Sequence, residues 1–439
     1  MATPRFECGR TDHEAAYAMA VRDVAGSISG GRFVAGASWP DVWVRDAAYA
    51  VDLACGPLHP AVSRATLRGV GSPGTGWAQD RCAHFGGWPR LTDSVVGAVG
   101  AWACYVATGD LDFLRWSHDV TRASLARAER EIADGDLFRG CASFMESNSG
   151  YPPRFAFRGR AVGATSALST NVLYHRAYVL AARAAAVLGD DPEPFAARAA
   201  AVRQTINDRL WQPDLGRYAY YEDADGGLSD RCEGLGTALA LLWGVADDDQ
   251  AAAVVRSAAT TPSGLPCLWP RHPLWASWLP RDEYRYHNGM VWPFVQGYWG
   301  WAAAARGFTD VFAAELDHLA GLAGRAGTFH EYYRPDGRPG GSARQLWSAA
   351  GYLALVHNGL FGTVSDDAGV AFRPVVPAGF ERLRLTGLAH RGLTLDVTIT
   401  GSGTRIAAFA LDGEPREGHL VPAALTGPHR VDITLDTGS

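Results

Sequence analysis

Hydrophobic positions follow a helical period from residue 12 to about residue 360, and the segments alternate between two kinds. One kind is amphipathic and spans about 12–27, 59–70, 113–133, 192–210, 248–259 and 310–323. FLRWSHDVTRASLARAEREIA at 113–133 represents it, with an apolar stripe and a charged face that can meet water. The other kind is apolar nearly all round and spans about 42–55, 93–107, 168–187, 233–245, 288–305 and 344–360. DSVVGAVGAWACYVA at 93–107 has so little polar surface that it belongs in an interior. Six of each kind in alternation is the order that a closed barrel of helical hairpins requires, with the apolar helices inside and the amphipathic ones around them.

The connections support the same arrangement. From inner to outer helices they are short, as in GPLHP at 56–60, TGDLD at 108–112 and GDDPE at 189–193. From outer to inner they are long, as at 71–91, 134–167 and 260–287, which puts the long loops on one face of the barrel. Long loops on a rigid scaffold are where sites are built, and these three are expected to close over a pocket. After about residue 364 the period drops to two, with β-branched residues and glycine turns, as in GLTLDVTIT and HRVDITLD. The prediction is a helical barrel over 1–363 and a small β-sandwich domain over 364–439 that packs against it.

At 439 residues and 47% hydrophobic, the chain can bury one large core and still carry that second domain. The formal net charge of −6 is spread along the chain, which speaks against a nucleic-acid or membrane partner. The seven cysteines (Cys8, Cys55, Cys82, Cys104, Cys141, Cys232 and Cys267) are widely spaced without a C-x-x-C pair. They suit a reducing compartment and predict neither a zinc site nor a disulfide framework. MATPRFECGRTDHE is not a signal peptide and no window approaches a membrane span, so the expectation is a soluble cytoplasmic protein. The 15 Trp, 15 Tyr and 17 Phe change the picture more, because many stand beside Asp, Arg and Gly in loops. Such rings stack on the C–H faces of sugars, although part of the set belongs to the core.

Six polar segments fall at or just before the starts of inner helices and so converge on one mouth. They are WPDVWVRDAAYA (39–50), GGWPRLTDS (86–94), CASFMESNSGYPPRF (141–155), ATSALSTNVLYHR (164–176), EYRYHNGMVWPF (283–294) and FHEYYRPDGRPGGSARQLWS (329–348). Cleavage of a glycoside with inversion needs a carboxylic acid and a carboxylate base from different loops, about 6.5–9.5 Å apart. Glu331, between His330 and Tyr332-Tyr333, is the candidate base, and its alternative is a loop ion pair with Arg344. Glu146, followed by Tyr151 and two prolines, is the candidate acid, since an apolar wall would raise its pKa. Its alternative is a capping or substrate-binding carboxylate. Asp93, after Thr92, caps an inner helix and is the second choice for the acid. Arg45 and Asp46 after Trp43 pair a fork of donors with an acceptor, and His287, Asn288 and Trp292 add a donor, an acceptor and a stacking ring. Trp88, Tyr151, Arg344 and Trp347 complete the expected sugar-contacting set.

No G-x-G-x-x-G follows a strand, and P-loop, H-E-x-x-H and G-x-S-x-G motifs are absent, so nucleotide, zinc-protease and serine-hydrolase chemistry lack their residues. Asp223, Asp225, Asp247 and Asp248 do not have the spacing of a calcium loop. No cofactor or metal is expected.

These motifs resemble the six-hairpin, or (α/α)6-barrel, glycosidase superfamily, which includes glucoamylases, trehalases, rhamnosidases and bacterial glycogen-debranching-like proteins. Trp43-Val44-Arg45-Asp46 resembles the W-x-R-D motif of glucoamylases, and SFMESNSGYP, LSTNVLYHRAY, YHNGMVWPFVQGYW and ARQLWSAAGYL are similar to segments of the debranching-like group. The resemblance implies an all-α (α/α)6 toroid with Arg45 and Asp46 holding a terminal sugar. It implies an inverting, exo-acting hydrolase of a small carbohydrate, working as a monomer or small homo-oligomer. The debranching-like group often carries Asp near the place of Glu146. Trehalase-like members set an Asp shortly after a Glu-Ser pair, where this chain has Gly150. Two rival expectations are phosphorolysis, which would need no base such as Glu331, and a non-hydrolytic sugar-binding or epimerising barrel relying on His287 and His330.

Overall fold

The structure, a computed structural model, describes residues 3–81, 86–155, 158–273, 284–380 and 382–436. Cys82 and parts of all three long loops lie outside them. The amphipathic segments form α1 (Thr11–Gly26), α3 (Pro60–Arg68), α5 (Leu111–Glu131), α7 (Glu193–Leu210), α9 (Asp248–Ser257) and α11 (Thr309–Ala326). The apolar ones form α2 (Val44–Ala50), α4 (Gly97–Thr108), α6 (Leu168–Leu188), α8 (Gly234–Leu242), α10 (Pro293–Ala305) and α12 (Leu346–Ala354). Burial follows the pattern: every residue of α2 and α12 is buried, whereas α9 buries only Ala251 and Val254. Each inner helix packs on the next in chain order, and α12 returns to α2. This is an (α/α)6-type arrangement.

Small residues set the spacing inside the ring. A Cβ on Gly297 of α10 would lie 2.5 Å from Gly351 Cα of α12, and one on Gly100 of α4 would lie 2.8 Å from Ala48 Cα of α2. Helix ends are marked chemically as well. The Asp110 side chain accepts from Phe113 N–H at the start of α5, and Asp247 with Gln250 forms a capping box on α9. The segment expected as helical over 288–305 begins its helix only at Pro293. Proline lacks an N–H and pushes the preceding Trp292 to extended dihedrals (φ −111°, ψ 117°). The extended stretch is used: Val291 and Tyr333 exchange backbone hydrogen bonds of 2.9 and 2.8 Å, which draws the loop of Glu331 against the start of α10.

Residues after 362 form a C-terminal β-sheet domain. Strands β2 (Thr363–Ser365), β3 (Gly369–Phe372) and β8 (Leu420–Pro422) make one sheet. The larger sheet runs β1, β4, β5, β9, β6, β7, where β4 is Arg382–His390, β5 Leu393–Thr400, β6 Ile406–Leu411, β7 Glu414–Pro415 and β9 Gly427–Leu435. Its edge strand β1 is Arg5–Glu7, from the other end of the chain, with Phe6 opposite Leu385. Arg391 N–H donates to Ala107 O (2.7 Å) and Tyr105 Oη donates to Asp367 (2.7 Å), so the domain is tied to the end of α4. The described cysteines are buried. Among the described residues no helix is long and apolar enough to cross a membrane.

The contact of α10 with α12 leaves no room for a methyl group. Gly351→Ala is expected to destabilise the fold by about 1–3 kcal/mol, the usual cost of overpacking, measured as a lower denaturation midpoint against Gly324→Ala on the outer helix α11, where a Cβ meets nothing within 4 Å.

Candidate active site

Glu331 stands at the mouth in a turn just before the short hairpin of Tyr332–Tyr333 and Pro339–Gly340, and is 4% exposed. Three donors fix its carboxylate. Tyr286 Oη donates to Oε1 at 3.0 Å, while Trp39 Nε1 at 3.2 Å and the Ser342 N–H at 2.9 Å donate to Oε2. A side chain at Gly341 would collide with the same oxygen, so glycine is needed there. Tyr286 itself is strained, with φ 49°, and its carbonyl accepts from Trp292 Nε1 at 2.9 Å. Its hydroxyl pKa is pushed up by burial and then by the Glu331 charge, so it remains a donor.

Across the mouth, Arg45 gathers carboxylates from three segments of chain. Its Nη1 and Nη2 fork onto Glu146 at 2.7 and 3.3 Å, and its Nε donates to Asp80 at 3.1 Å. Asp93 lies 3.9 Å from Nη1. Asp80 also accepts from the Val44 and Arg45 N–H groups at 2.9 and 3.1 Å, capping α2. Asp93 accepts from Gln79 Nε2 (2.8 Å), Ser143 Oγ (2.9 Å) and the Phe144 N–H (3.1 Å). Asp46, the next residue after Arg45, takes the side-chain amide of Gln345 at 2.8 Å. Burial alone would lower the Arg45 pKa, but the charges of Glu146, Asp93 and Asp80 outweigh it and hold the guanidinium charged. For Glu146 burial pushes the pKa up and Arg45 pulls it back, leaving it raised. Asp46 goes well above the carboxylate range, first through burial, with Arg45 opposing and the charges of Asp80, Glu331 and Glu146 adding to the rise.

Aromatic rings pave the space between. Phe144, at φ 57°, packs edge-on against His287, Trp292, Phe294 and Trp347, and Trp347 stacks on Phe294 at 4.1 Å. Trp43 meets Trp39 edge-to-face, and Trp39 is 41% exposed, a platform at the rim. His287 Nδ1 is 2.8 Å from Ser147 Oγ, and burial followed by the Arg45 charge keeps the ring neutral. Among the described residues, His287 Nε2 and Trp347 Nε1 are buried without a hydrogen-bond partner. Further along, the Ser143 N–H donates to Ser169 Oγ (2.8 Å) and the Ser169 N–H donates to Glu233 (3.1 Å), whose pKa burial raises to about 8.

The structure thus brings together Trp43, Arg45, Asp46, Asp93, Glu146, His287, Trp292, Glu331 and Trp347 of the expected set. Four others have different work. Trp88 donates its indole N–H to Glu131 on the outer helix α5 (2.6 Å), under the Arg127 guanidinium, 4.0 Å from its ring. Arg344 is exposed, and its side chain lies against Gly26, so the ion pair with Glu331 does not form. Asn288 clamps the backbone of His272 with bonds of 2.8 and 3.0 Å. Tyr151 accepts from the Ala142 N–H (2.8 Å) and packs on Tyr220 and Tyr221. The sequence did not single out Trp39, Asp80, Tyr286, Gln345 or Glu233. Trp39, Tyr286 and Gln345 carry a signal, since they lie within the polar segments at the mouth, whereas Asp80 and Glu233 lie outside them. Among the described residues no cluster of His, Cys, Asp and Glu is arranged to hold a metal.

Residues 142–348 match the mannosylglycerate hydrolase MGH1-like glycoside hydrolase domain. The chain carries a glycoside hydrolase domain. The matched span holds Glu146, His287, Trp292, Glu331 and Trp347, and it begins after Arg45 and Asp46. Known structures agree on the fold. A GH63 mannosylglycerate hydrolase from Thermus thermophilus, in complex with Tris and D-glycerate, is 18% identical over 78% of this chain and 100% of its own, with a TM-score of 0.63. The GH78 rhamnosidase of Bacillus sp. GL1 is 17% identical over 91% of this chain, with a TM-score of 0.66, and this chain spans 42% of its length. The α-L-rhamnosidase of Streptomyces avermitilis, complexed with L-rhamnose, is 14% identical over 88% of this chain and 35% of its own, with a TM-score of 0.59. No curated protein sequence matches the chain. The resemblance to six-hairpin glycosidases therefore holds.

Tyr286 is one of the three donors that hold the Glu331 carboxylate. A hydrogen bond to a charged acceptor contributes about 1.5–3 kcal/mol, so Tyr286→Phe should lower kcat/KM by roughly ten- to hundredfold. An unchanged kcat/KM would show that this hydrogen bond plays no part in turnover.

Proposed function

We propose that the protein is an exo-acting glycoside hydrolase that inverts the anomeric centre, with Glu331 as the general base. The reading rests on one observation: Glu331 is held by three neutral donors, from Tyr286, Trp39 and Ser342, opposite carboxyl groups gathered on a guanidinium. A carboxylate oriented by uncharged donors has no cation competing with a water molecule for its lone pairs, whereas one locked in an ion pair does. The acid comes from the Arg45 group, where Glu146 is the member that the sequence favours. Trp39, Trp43, Trp292 and Trp347 supply faces for a pyranose ring, and His287 and Trp347 supply N–H or lone-pair partners for its hydroxyls.

The substrate we favour is a small glycoside, with mannose, rhamnose or glucose as the terminal sugar and a short aglycone. The mannosylglycerate hydrolase and rhamnosidase relatives support that choice of sugars, and the structure bound to D-glycerate supports a small aglycone. The wide spacing of the cysteines, without a C-x-x-C pair, supports a cytoplasmic setting.

Aryl α- and β-glycosides of the three sugars, assayed in phosphate-free buffer, test the activity. The first product seen by proton NMR should have the anomeric configuration opposite to that of the substrate. Retention would exclude the single displacement, and a strict need for phosphate would favour phosphorolysis. Glu331→Gln should lose about 10²–10⁴ in kcat while still binding sugar, and near-normal turnover would remove the base assignment.

A further inference from the structure

We infer that Asp46, and not Glu146, gives the proton to the leaving oxygen. The inference rests on the hydrolytic reading above and adds to it the identity of the acid. Three of the four carboxyl groups around Arg45 have both oxygens engaged by donors that favour the charged form. Glu146 sits in the two-pronged grip of the guanidinium. Asp80 takes Arg45 Nε and two backbone N–H groups. Asp93, fully buried, takes Gln79, Ser143 and the Phe144 N–H. Asp46 differs. Its Oδ1 accepts from the Gln345 amide at 2.8 Å, and among the described residues its Oδ2 accepts from nothing.

Charge balance points the same way. One buried guanidinium contacts Asp80, Asp93 and Glu146, and its charge reaches Asp46, as does that of Glu331. Four buried carboxylates around one cation do not all ionise, because each added charge repels the others at low dielectric. The proton settles on the group whose ionised form has the fewest donors, and that group is Asp46. A neutral carboxyl group with one oxygen uncommitted can turn that oxygen toward a substrate. Gln345 is compatible with this part, because a single amide N–H also bonds the carbonyl oxygen of a protonated carboxyl group and favours the charged form less than the two or three donors on the other carboxyl groups do. The resemblance to glucoamylases gives Asp46 a sugar-holding part, and the two parts are compatible at the sugar that is being released.

The step balances without any further reactant. Asp46 transfers its carboxyl proton to the glycosidic oxygen as the bond from the anomeric carbon to that oxygen breaks and the electron pair leaves with the oxygen. A water molecule forms the new bond to the anomeric carbon and yields a proton to Glu331. Asp46 ends as a carboxylate and Glu331 as an acid, and exchange of one proton through solvent restores both.

Leaving groups that need no proton separate the candidates. The probes are the methyl α-glycoside and the α-glycosyl fluoride of D-mannose, L-rhamnose and D-glucose, because fluoride departs without protonation. With Asp46→Asn, kcat/KM on the methyl glycoside should fall about 10²–10⁴-fold while the fluoride stays within about tenfold of wild type, and Glu146→Gln should slow both alike. The inference is overturned if Glu146→Gln spares the fluoride and loses the methyl glycoside. It is also overturned if Asp46→Asn with wild-type melting loses both equally. The Glu146→Gln contrast decides the matter even if Asp46→Asn does not fold. Failure of the broader reading looks different: wild type is then inert on all six probes, or Glu331→Gln still hydrolyses the fluoride.

Discussion

A single buried cation organises the mouth of this barrel. Arg45 sits at the start of α2, 3% exposed, and reaches Asp80 in the following long loop, Asp93 at the approach to α4 and Glu146 in the loop before α6. Leaving such a group unpaired in an interior would cost several kcal/mol, so each of those loops is obliged to deliver a carboxylate. The reverse also holds, since none of the three carboxylates tolerates burial without the guanidinium or its supporting N–H groups. The ion cluster therefore registers the first three hairpins against one another, in a region where apolar packing alone would accept small slips.

Glu331 is held in a different way. Its donors are a tyrosine, a tryptophan and a backbone N–H, none of them charged, and they come from the loop before α10, the segment before α2 and its own loop. One side of the mouth is thus fixed by electrostatics and the other by neutral hydrogen bonds. The aromatic floor of Phe144, Trp292, Phe294 and Trp347 keeps water from averaging the two environments. Two members of this arrangement, Phe144 and Tyr286, have left-handed backbone dihedrals, a strain that the surrounding contacts must hold in place.

The helices were legible in the sequence because burial in concentric rings writes itself as a period. A helix that is apolar all round has one place to go, and the twelve segments were found to within a few residues. Their starts were less legible at α10, where Pro293 overrides an apolar run that continues upstream to Met290. Within the site, Arg45 and Asp46 could be read because charged residues at the start of a buried helix are anomalous, and Glu146 and Glu331 because they stand beside aromatic and small polar residues in loops at the mouth. Asp80 could not, since an Asp in a loop resembles any solvated Asp until the chain folds it under Arg45. Trp88 misled for the opposite reason: nothing in GGWPR tells whether the ring faces the axis or, as it does, the Arg127 and Glu131 side chains of α5. Asn288 and Tyr151 likewise spend their polar atoms on backbone that the sequence leaves unpaired.

Strand β1 has a consequence for how the molecule is made. Phe6 pairs with Leu385, and α1 packs on α11 and α12, so the first residues of the chain find long-range partners among the last. A ribosome emitting the chain from its amino end would release five hairpins before the sixth could close the ring, and the edge strand would wait still longer. The apolar flanks of α2 and α10, both destined for α12, stay uncovered during that interval. Late ring closure of this kind leaves apolar helix faces without their partners until the last hairpin is made, the condition under which long chains in general pass through partly folded states.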